Sequence, residues 1–440
     1  MRIVLSNIGT WGDINPLIAI ALELQRRGHT PVMTFPQVYS SKIKQLGLEY
    51  HPLRPEIDPT NTILVEMIYD VKKGTERGLR EFLFPALRQT YDDLLDAATN
   101  PVQADLMLLG ELNYAGPVVA DHTGIPWASI ELAPFSFFSA FDPPVLPPYP
   151  KLASAEKFLP GMGHIVKRVA HLATRKWPEP VYDLRRELGL PPGPNPIFEA
   201  KHSPHLVLAL FSHVLGVKQK DWPPNALITG FCFHDSGSGD DSFPAHLQEF
   251  LKAGEPPIVF TLGSAAVLAA GQFYELSAQA AMLLNRRAVL LIGSDTRNRP
   301  QQKLPDSICV AEYAPFSALF PHASVVVHQG GVGTTAQCLR AGRPMLIMPY
   351  SHDQPDNARR MKRMGLSQTI ERSQYKPDRI ARTLRMLFDD SAYATRSHSV
   401  AAQIAKENGV DTACDALEKL HCMRVASPLV PESLPQRFSH

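Results

Sequence analysis

The sequence predicts an α/β protein built from two doubly wound domains, each with a parallel sheet covered by helices. Short apolar, β-branched stretches alternate with stretches in which apolar residues recur at helical spacing. This alternation occurs twice, before and after a loosened region around 217–241 that is rich in Gly, Ser and Asp. The length of 440 residues is sufficient for two separate cores.

The first half of the chain carries the first set of alternating elements. Its predicted strands are 2–7, 31–35, 105–109 and 126–132. Its predicted helices alternate with these strands. The first extends from Asn15 to Gly28, and the other two are 41–46 and 114–122. We expect Asn15 to cap this first helix, with Pro16 at the first helical position and Gly28 as the terminator.

The second half repeats the pattern. Its predicted strands are 257–262, 288–292, 324–328 and 344–348, and its predicted helices are 273–284 and 333–340. The predicted organisation is therefore an N-terminal domain (1–220), a linker (221–245), a C-terminal domain (246–405) and a last helix with an irregular tail (406–440). Ligands of open α/β sheets bind beyond the carboxyl ends of the strands, which predicts a site in the cleft between the domains.

Composition and charge exclude several classes of function. The 44 Lys and Arg residues nearly cancel the 43 Asp and Glu residues, and no block of five or six like charges occurs, so no nucleic-acid partner is expected. Five scattered cysteines without a CxxC pair indicate neither disulfides nor zinc, and they favour the reducing cytoplasm. No stretch reaches the length of a transmembrane helix, and no cluster of metal ligands stands out, so neither an integral membrane segment nor a metal is expected.

The clearest chemical motif is VVVHQGGVGTT, residues 325–335, in which an apolar strand leads through a glycine-rich turn into a helix. Glycines allow close backbone approach to a ligand, and the helix N-terminus offers free N–H groups to a diphosphate. Thr334 and Thr335 add hydroxyl donors, and His328 at the strand end can add a ring N–H. The alternative is a glycine-rich turn without a ligand.

A second motif lies just past the next strand. Asp353 and Gln354 present a carboxylate beside an amide, a combination that suits sugar hydroxyls. The alternative is an Asx-type turn before a helix.

Taken together, Tyr313-Ala314-Pro315, the stretch 328–335 and Asp353-Gln354 resemble, in order and spacing, the donor-binding signature of family 1 glycosyltransferases. The opening GTWGDINP, residues 9–16, is consistent with that family. Within it, the chain is most similar to bacterial rhamnolipid-type rhamnosyltransferases and to sterol and macrolide glycosyltransferases. The resemblance implies the GT-B fold, in which two Rossmann-like domains face each other across a cleft.

The resemblance also implies an activity. The enzyme would move a glucose-like sugar or rhamnose from a UDP- or dTDP-sugar to a hydroxyl of a small apolar acceptor, either a phenolic or polyketide natural product or a lipid. Transfer would invert the anomeric centre and need neither a metal nor another cofactor. The N-terminal domain would bind the acceptor and the C-terminal domain the nucleotide sugar, in a monomer or weak homodimer.

For the donor, the resemblance implies a base-stacking ring at Tyr313, a backbone contact to the base at Ala314 and a phosphate contact at Ser264. Gln337 stands where many relatives carry a Glu that holds the ribose, which leaves UDP and dTDP both open. Alignment on the strand puts His328 at the phosphate, whereas alignment on Gly342 puts Gln329 there; we favour His328, with Gln329 as a second donor. The complete implied donor site is Gly12, Ser264, Tyr313, Ala314, His328, Gln329, Gly331, Gly333, Thr334, Thr335, Gln337, Asp353 and Gln354.

Asp13 is the predicted general base. It follows the first strand, and since Asn15 and Pro16 are expected to begin the helix, Asp13 is expected to be free to face the cleft. Glu111 lies near the place where plant relatives keep an acidic partner of the base, although a surface-turn role is the alternative.

The segment 133–160 is rich in aromatic residues and proline and has no steady period. One interpretation is a surface loop stiffened by proline. The other is an acceptor-binding loop that presents Phe135, Phe137, Phe138 and Phe141 to an apolar ligand. Two other functions stay open for the whole chain: a nucleotide-sugar epimerase and a non-catalytic nucleotide-sugar-binding subunit.

Overall fold

The computed structural model describes residues 1–57, 61–147, 149, 161–235 and 243–426. In these ranges every strand pairing is parallel, and the strands form two sheets. The strands are β1 (Arg2–Ser6), β2 (Thr30–Phe35), β3 (Glu49–Pro52), β4 (Leu106–Gly110), β5 (Trp127–Glu131), β6 (Val207–Ala209), β7 (Ala226–Ile228), β8 (Ile258–Thr261), β9 (Ala288–Leu291), β10 (Ile308–Ala311), β11 (Val325–His328), β12 (Met345–Ile347) and β13 (Ser367–Thr369).

Helices cover both sheets, and short 3₁₀ and π turns connect some of them. The α-helices of the described ranges are α1 (Trp11–Arg26), α2 (Ser40–Gln45), α3 (Thr62–Ile68), α4 (Gly74–Arg77), α5 (Leu87–Thr99), α6 (Gly116–Thr123), α7 (Met162–Thr174), α8 (Glu179–Glu187), α9 (Ala245–Lys252), α10 (Gly263–Ala266), α11 (Phe273–Leu283), α12 (Phe316–Leu319), α13 (Val332–Arg340), α14 (Gln354–Arg363), α15 (Pro377–Asp389), α16 (Ala392–Ile404) and α17 (Gly409–Ala426). None of them is both long enough and apolar enough to cross a membrane.

Strand order fixes where ligands can bind. The first sheet has the order β3-β2-β1-β4-β5-β6-β7, and the second has the order β10-β9-β8-β11-β12-β13. The direction of winding reverses between β1 and β4 in the first sheet and between β8 and β11 in the second. Such switch points open a crevice at the carboxyl ends of the two strands involved. The turns after β1, β4, β8 and β11 are therefore the expected ligand-binding turns.

The two doubly wound domains are confirmed, and the eight predicted strands are all present. Five further strands, β3, β6, β7, β10 and β13, lie at or next to sheet edges and were not predicted. Strand β7 lies inside 221–245, so the first sheet extends into the range expected to be linker. Residues 236–242 of that range lie outside the described residues.

The start of the first helix differs from the prediction. Helix α1 begins at Trp11 and is capped by Thr10, so Asn15 and Pro16 lie inside it. The reason is a capping box: the Thr10 hydroxyl accepts from the Gly12 N–H at 3.3 Å, while the Asp13 carboxylate accepts from the Thr10 N–H at 2.6 Å. Asp13 therefore takes part in the cap, contrary to the expectation that it is free of that role.

The last helix returns to the first domain. In α17, Cys414 and Leu417 are fully buried in the N-terminal core, and the Cys414 thiol approaches the Ile20 carbonyl in α1 at 3.8 Å. Arg27, just after α1, is held by three acidic groups of α17, namely those of Asp411, Asp415 and Glu418 at 3.0, 2.6 and 2.9 Å. The predicted tail beyond α17 lies outside the described residues.

Candidate active site

The glycine-rich turn joins the end of β11 to the start of α13. Gly330 has a φ of +92°, and a Cβ there would lie 2.8 Å from the Ile347 side chain, so only glycine fits. The Thr335 hydroxyl donates to the Gly331 carbonyl at 3.0 Å, which fixes the first turn of the helix. The remaining N–H groups at the N-terminus of α13 form the predicted anion-binding end of the site.

His328 ends β11 and is completely buried. Its Nδ1 accepts a hydrogen bond from the Gly330 N–H at 3.0 Å, so the proton of the neutral ring is on Nε2. Burial lowers the pKa of His328 to about 3, which keeps the ring neutral. Nε2 has no hydrogen-bond partner within the described ranges. A buried, unpartnered N–H at this position is what a phosphate oxygen could satisfy.

Gln329 connects this turn to the turn after β8. A Cβ on Gly263 would lie 2.6 Å from the Gln329 side-chain nitrogen and 3.2 Å from the Thr334 hydroxyl. Gly263 therefore has to be glycine for the two turns to close on each other, and its φ of +67° agrees. Ser264 follows it at the exposed start of α10. The switch point of the second sheet thus brings together the four predicted phosphate-side residues Ser264, His328, Gln329 and Thr334.

The predicted nucleoside contacts lie on neighbouring elements. Tyr313, after β10, exposes 64% of its surface, whereas Ala314 beside it is buried. An exposed ring next to a buried residue is a suitable platform for a nucleobase. Gln337 in α13 is partly buried, and its side-chain oxygen has no partner in the described part of the chain.

Asp353 and Gln354 begin α14, one strand further along the sheet. The Asp353 carboxylate accepts from the Asn357 side chain at 2.7 Å, and the same amide group donates to the Gly330 carbonyl at 3.0 Å. Gln354 is buried, and its side-chain oxygen accepts from the Tyr350 N–H at 2.9 Å. The carboxylate of Asp353 is thus oriented toward the glycine-rich turn, while Gln354 uses its oxygen within the protein.

Asp13 occupies the corresponding turn of the first domain, after β1. Its carboxylate packs back against Gly9, where a Cβ would lie only 2.5 Å from the Asp13 Oδ2. The Tyr39 hydroxyl donates to the Gly9 carbonyl at 2.7 Å and fixes the turn. Burial raises the pKa of Asp13, and hydrogen bonds from Thr10 oppose that rise. A carboxylate with a raised pKa is a better proton acceptor than an exposed one.

The two domains meet at these turns. A Cβ on Gly333, in the first turn of α13, would lie 3.8 Å from the Gly12 Cα in the first turn of α1. Across this contact the carboxylates influence one another: burial, together with the charges of Asp13 and Glu111, raises the pKa of Asp353 to about 7. Three carboxyl groups from both domains therefore share one electrostatic environment, as expected of a functional cleft.

Glu111 follows β4, so the first switch point places it in the same crevice as Asp13. Its ion-pair partner is Lys201 at 3.3 Å, and Lys201 also binds the fully buried Glu131 at 3.1 Å. Burial raises the pKa of Glu111 to about 7, although Lys201 opposes the rise. Burial would also raise the pKa of Glu131, but Lys201 and His202 outweigh it and lower the value to about 2.

The predicted acceptor phenylalanines occupy different environments. Phe137 is 4% exposed and stacks on Trp222 with ring centroids 3.8 Å apart, so the acceptor role predicted for it is corrected to a core-packing role. Phe138 and Phe135 are partly buried, and Phe141 is 47% exposed. The irregular sequence gave no period from which the burial of Phe137 could be inferred. Residues 148 and 150–160 of the predicted loop lie outside the described residues.

We predict opposite effects for two of these rings. Phe137→Ala is expected to lower the free energy of unfolding by about 3–5 kcal/mol, because it opens a cavity beside Trp222. Phe141→Ala is expected to raise the acceptor KM about tenfold, since an acceptor that covers this ring gains about 1.4 kcal/mol from burying it. Melting temperatures and steady-state kinetics on both variants check the pair. An unchanged acceptor KM in Phe141→Ala contradicts the acceptor role.

Several residues of the site were not predicted. Asn357 orients Asp353 from one helical turn away, a spacing of four residues that could have indicated it. Tyr69 of the first domain packs edge-on against Tyr350 of the second with ring centroids 5.9 Å apart, and no motif indicated this contact. Burial, with the charges of Asp13 and Asp353, raises the pKa of Tyr69.

Another contact that was not predicted joins α14 to the segment that carries Phe141. Arg360 is buried, and its guanidinium binds Asp142 of the first domain at 2.6 Å and Asp356 of its own helix at 2.7 Å. Asp356 also accepts from the Val145 N–H at 3.0 Å. Helix α14, which Asp353 precedes as the N-cap residue, therefore holds the predicted acceptor segment in place.

Comparisons with known proteins agree with this geometry. Residues 3–127 match the glycosyltransferase family 28 N-terminal domain, and residues 276–419 match the C-terminal domain of erythromycin biosynthesis protein CIII-like proteins. The chain is 30% identical over 430 residues to an O-mycaminosyltylonolide 6-deoxyallosyltransferase from Streptomyces fradiae, a match that covers 95% of this chain and 97% of the relative. It is 28% identical to a sterol 3-beta-glucosyltransferase from Arabidopsis thaliana, over 95% of this chain and 65% of that protein.

Solved structures show the same fold. The glycotransferase of kitacinnamycin superposes with a TM-score of 0.70 at 21% identity, over 95% of this chain and 98% of that one. The spinosyn rhamnosyltransferase SpnG, solved with thymidine diphosphate, gives a TM-score of 0.65 at 17% identity, over 95% of this chain and all of that one. The deoxyallosyltransferase, which is 30% identical over nearly the whole of both chains, transfers a sugar, and this removes the epimerase alternative. The chain belongs to the family 1 glycosyltransferases and is a glycosyltransferase with the GT-B fold.

Proposed function

We propose that this glycosyltransferase moves a sugar from a UDP- or dTDP-sugar to a hydroxyl of a small apolar acceptor, with inversion and without a metal ion. The observation that carries the proposal is the meeting of the two switch points. One contributes the partly buried carboxylate of Asp13, and the other contributes the helix N-terminus and His328 Nε2. A base and an anion-binding site on opposite sides of one cleft suit a direct displacement at an anomeric carbon.

The proposed reaction balances with these groups alone. Asp13 takes the proton of the acceptor hydroxyl, and the acceptor oxygen forms a bond to the anomeric carbon from the face opposite the diphosphate. The bond from that carbon to the diphosphate oxygen breaks, and the leaving group takes the electron pair. The N–H groups at the start of α13 and the neutral His328 donor stabilise the added negative charge, the role that a divalent cation has in other enzymes.

Support for the donor comes from its predicted contacts. SpnG and SsfS6, both similar in fold, were solved with thymidine diphosphate, which favours dTDP-sugars. Tyr313 supplies the stacking ring, and Gln337 supplies an unpartnered amide oxygen that can accept from a ribose or deoxyribose hydroxyl. An amide lacks the charge assistance of a Glu, so selection between the two nucleotides is expected to be modest.

Support for the acceptor comes from the first domain. Phe135, Phe138 and Phe141 offer apolar surface near the cleft, which suits a polyketide, phenolic or lipid hydroxyl compound. The named relatives act on a macrolide and on sterols, both large apolar hydroxyl compounds. Four of the five cysteines are buried and all are free, which suits an enzyme of the reducing cytoplasm.

A donor and acceptor panel tests the proposal. The purified chain is incubated with UDP- and dTDP-sugars and with a macrolide, a phenolic and a sterol acceptor, and mass spectrometry detects the glycoside. We expect product with at least one pair, equal rates with and without EDTA, and an inverted anomeric configuration by NMR. A rate that EDTA abolishes and Mg²⁺ restores contradicts metal independence. Donor binding without turnover on any acceptor favours the non-catalytic alternative.

We predict that Asp353→Ala weakens binding of the sugar part of the donor without weakening binding of the nucleotide part. The variant is expected to bind the intact donor more weakly while its affinity for free nucleoside diphosphate changes little, because Asp353 and the phosphate-binding turns are different elements. Isothermal calorimetry with both ligands measures the difference. Ser264→Ala is the matched control, since it is expected to weaken both ligands alike. Equal losses for donor and free nucleotide in Asp353→Ala contradict the sugar-binding role.

A further inference from the structure

Helix α7 (Met162–Thr174) presents an apolar stripe to solvent. Ile165, Val169 and Leu172 are 57%, 58% and 66% exposed, and their spacing of four and three residues places them on one face. The opposite face is packed, with Gly163 and Val166 buried in the first domain. An exposed row of three large aliphatic side chains is unusual on a surface that has no partner.

The charges around this stripe are of one sign. Residues 161–178 contain Lys167, Arg168, Arg175 and Lys176 but no Asp or Glu. On the inward side the positive charge is compensated, since Lys167 binds Asp221 at 3.2 Å. By helical spacing, Arg168 lies beside the apolar stripe, and Arg175 and Lys176 follow at its end, all three exposed.

Two acidic groups near the helix, within the described part of the chain, are already paired. Glu199 binds the inward-facing His171 at 3.3 Å, and Glu179, beyond the end of the helix, binds Arg186 at 3.7 Å. Arg168, Arg175 and Lys176 have no ion-pair partner within the described ranges. The outward face of α7 is therefore apolar in its centre and positively charged at its border.

The predicted acceptor segment contacts the buried side and the exposed side of the helix. On the buried side, a Cβ on Gly163 would lie 2.0 Å from the Ala140 carbonyl oxygen, so the segment rests directly on the helix. The exposed ring of Phe141 packs edge-on against His164 of α7, with ring centroids 5.3 Å apart. Phe141 and the stripe of α7 thus belong to one continuous surface.

We propose that α7 docks the enzyme on the surface of a bilayer that contains anionic lipid. The helix would lie in the plane of the interface, with Ile165, Val169 and Leu172 at the boundary of headgroups and acyl chains and with Arg168, Arg175 and Lys176 at lipid phosphates. The positive charges at the border of α7 complement anionic lipid headgroups, which favours a bilayer over a neutral apolar partner. The inference goes beyond the proposed transfer reaction and does not depend on it, because docking is measured without turnover.

Vesicle flotation with the full chain tests the proposal. The protein is expected to float with phosphatidylcholine vesicles that contain phosphatidylglycerol, to bind pure phosphatidylcholine vesicles at least about tenfold more weakly, and to be released by salt. The double variant Val169→Glu, Leu172→Glu is expected to lose binding, and Arg168→Glu to weaken it. Leu283→Glu is the matched control, because Leu283 is 52% exposed on a helix of the other domain, and it is expected to keep binding.

Several outcomes overturn the proposal. The first is failure of the wild-type chain to bind anionic vesicles, and the second is undiminished binding by the double variant. A dimer that Val169→Glu dissociates in analytical ultracentrifugation, without vesicle binding, assigns the face to a second copy. A melting temperature lowered by Val169→Glu but not by Leu283→Glu, without vesicle binding, assigns the stripe to packing within the chain. Turnover of a water-soluble acceptor is expected to be unchanged in Val169→Glu, so failure of docking and failure of the transfer proposal are distinguishable.

Discussion

Replacing Asp13 with Asn is expected to lower kcat by at least about 100-fold while the protein stays folded and binds donor normally. The amide oxygen can still accept the hydrogen bond from the Thr10 N–H, so the cap of α1 is retained, but the amide cannot take a proton from the acceptor. Because burial raises the pKa of Asp13 and the base must be ionised, kcat/KM of the wild type is expected to fall as the pH is lowered through that pKa. Turnover at several pH values, with calorimetry for donor binding, measures these effects.

Because Asp13 also takes part in the cap of α1, the predicted base needs a control that disturbs the cap alone. Thr10→Ala removes the hydroxyl that accepts from the Gly12 N–H and is expected to cost about 1 kcal/mol of stability while most of the turnover is kept. Near wild-type turnover in Asp13→Asn contradicts the assignment of the base. A loss of turnover in Thr10→Ala as large as in Asp13→Asn assigns the effect to helix geometry instead.

Arg360→Met is expected to destabilise the protein by about 3–5 kcal/mol, because it removes the guanidinium that pairs with the buried carboxylate of Asp356. Asp356 is 1% exposed, so water cannot replace the lost partner. The acceptor KM is expected to rise as well, since Asp142 loses the contact that holds the segment bearing Phe141. Thermal unfolding and acceptor kinetics report the two effects separately.

The matched control is Arg363→Met on the same helix. Arg363 approaches the same carboxylate, that of Asp142, at 3.7 Å, but its side chain is 56% exposed. An exposed ion pair contributes at most about 1 kcal/mol, so stability and acceptor KM are expected to change little. Equal changes in the two variants contradict a special role for the buried pair.

The sequence predicted the middle of each sheet and failed at the edges. The central residues of β1 (3–5) and the first three residues of β11 (325–327) are apolar and buried, a pattern that a parallel sheet covered on both faces requires. Strand β3 reads EYHP and β13 reads SQT, since one side of an edge strand has no neighbouring strand. Strand β7 has only three residues, which is too short for a period to emerge.

The site was predictable where a turn follows a strand directly. His328 and Asp353 could be placed because each comes at or just after the end of a predicted strand, and all such ends lie at one edge of the sheet. The pairing of Arg360 with Asp142 could not be predicted, because 217 other residues separate the two in the chain and only the approach of the domains joins them. Phe137 was misassigned because its partner Trp222 lies in a region that was interpreted as linker.

The return of α17 to the first domain has a consequence for recombining these enzymes. A chimera that joins the first domain of one enzyme to the second domain of another at a single crossover near residues 229–244 would pair α1 with a foreign last helix. It would then lose the contacts of Arg27 to Asp411, Asp415 and Glu418 and place a different side chain at the buried position of Cys414. The unit that can be exchanged is therefore the middle of the chain, from α9 to α16, inserted between an N-terminal half and a final helix taken from the same parent.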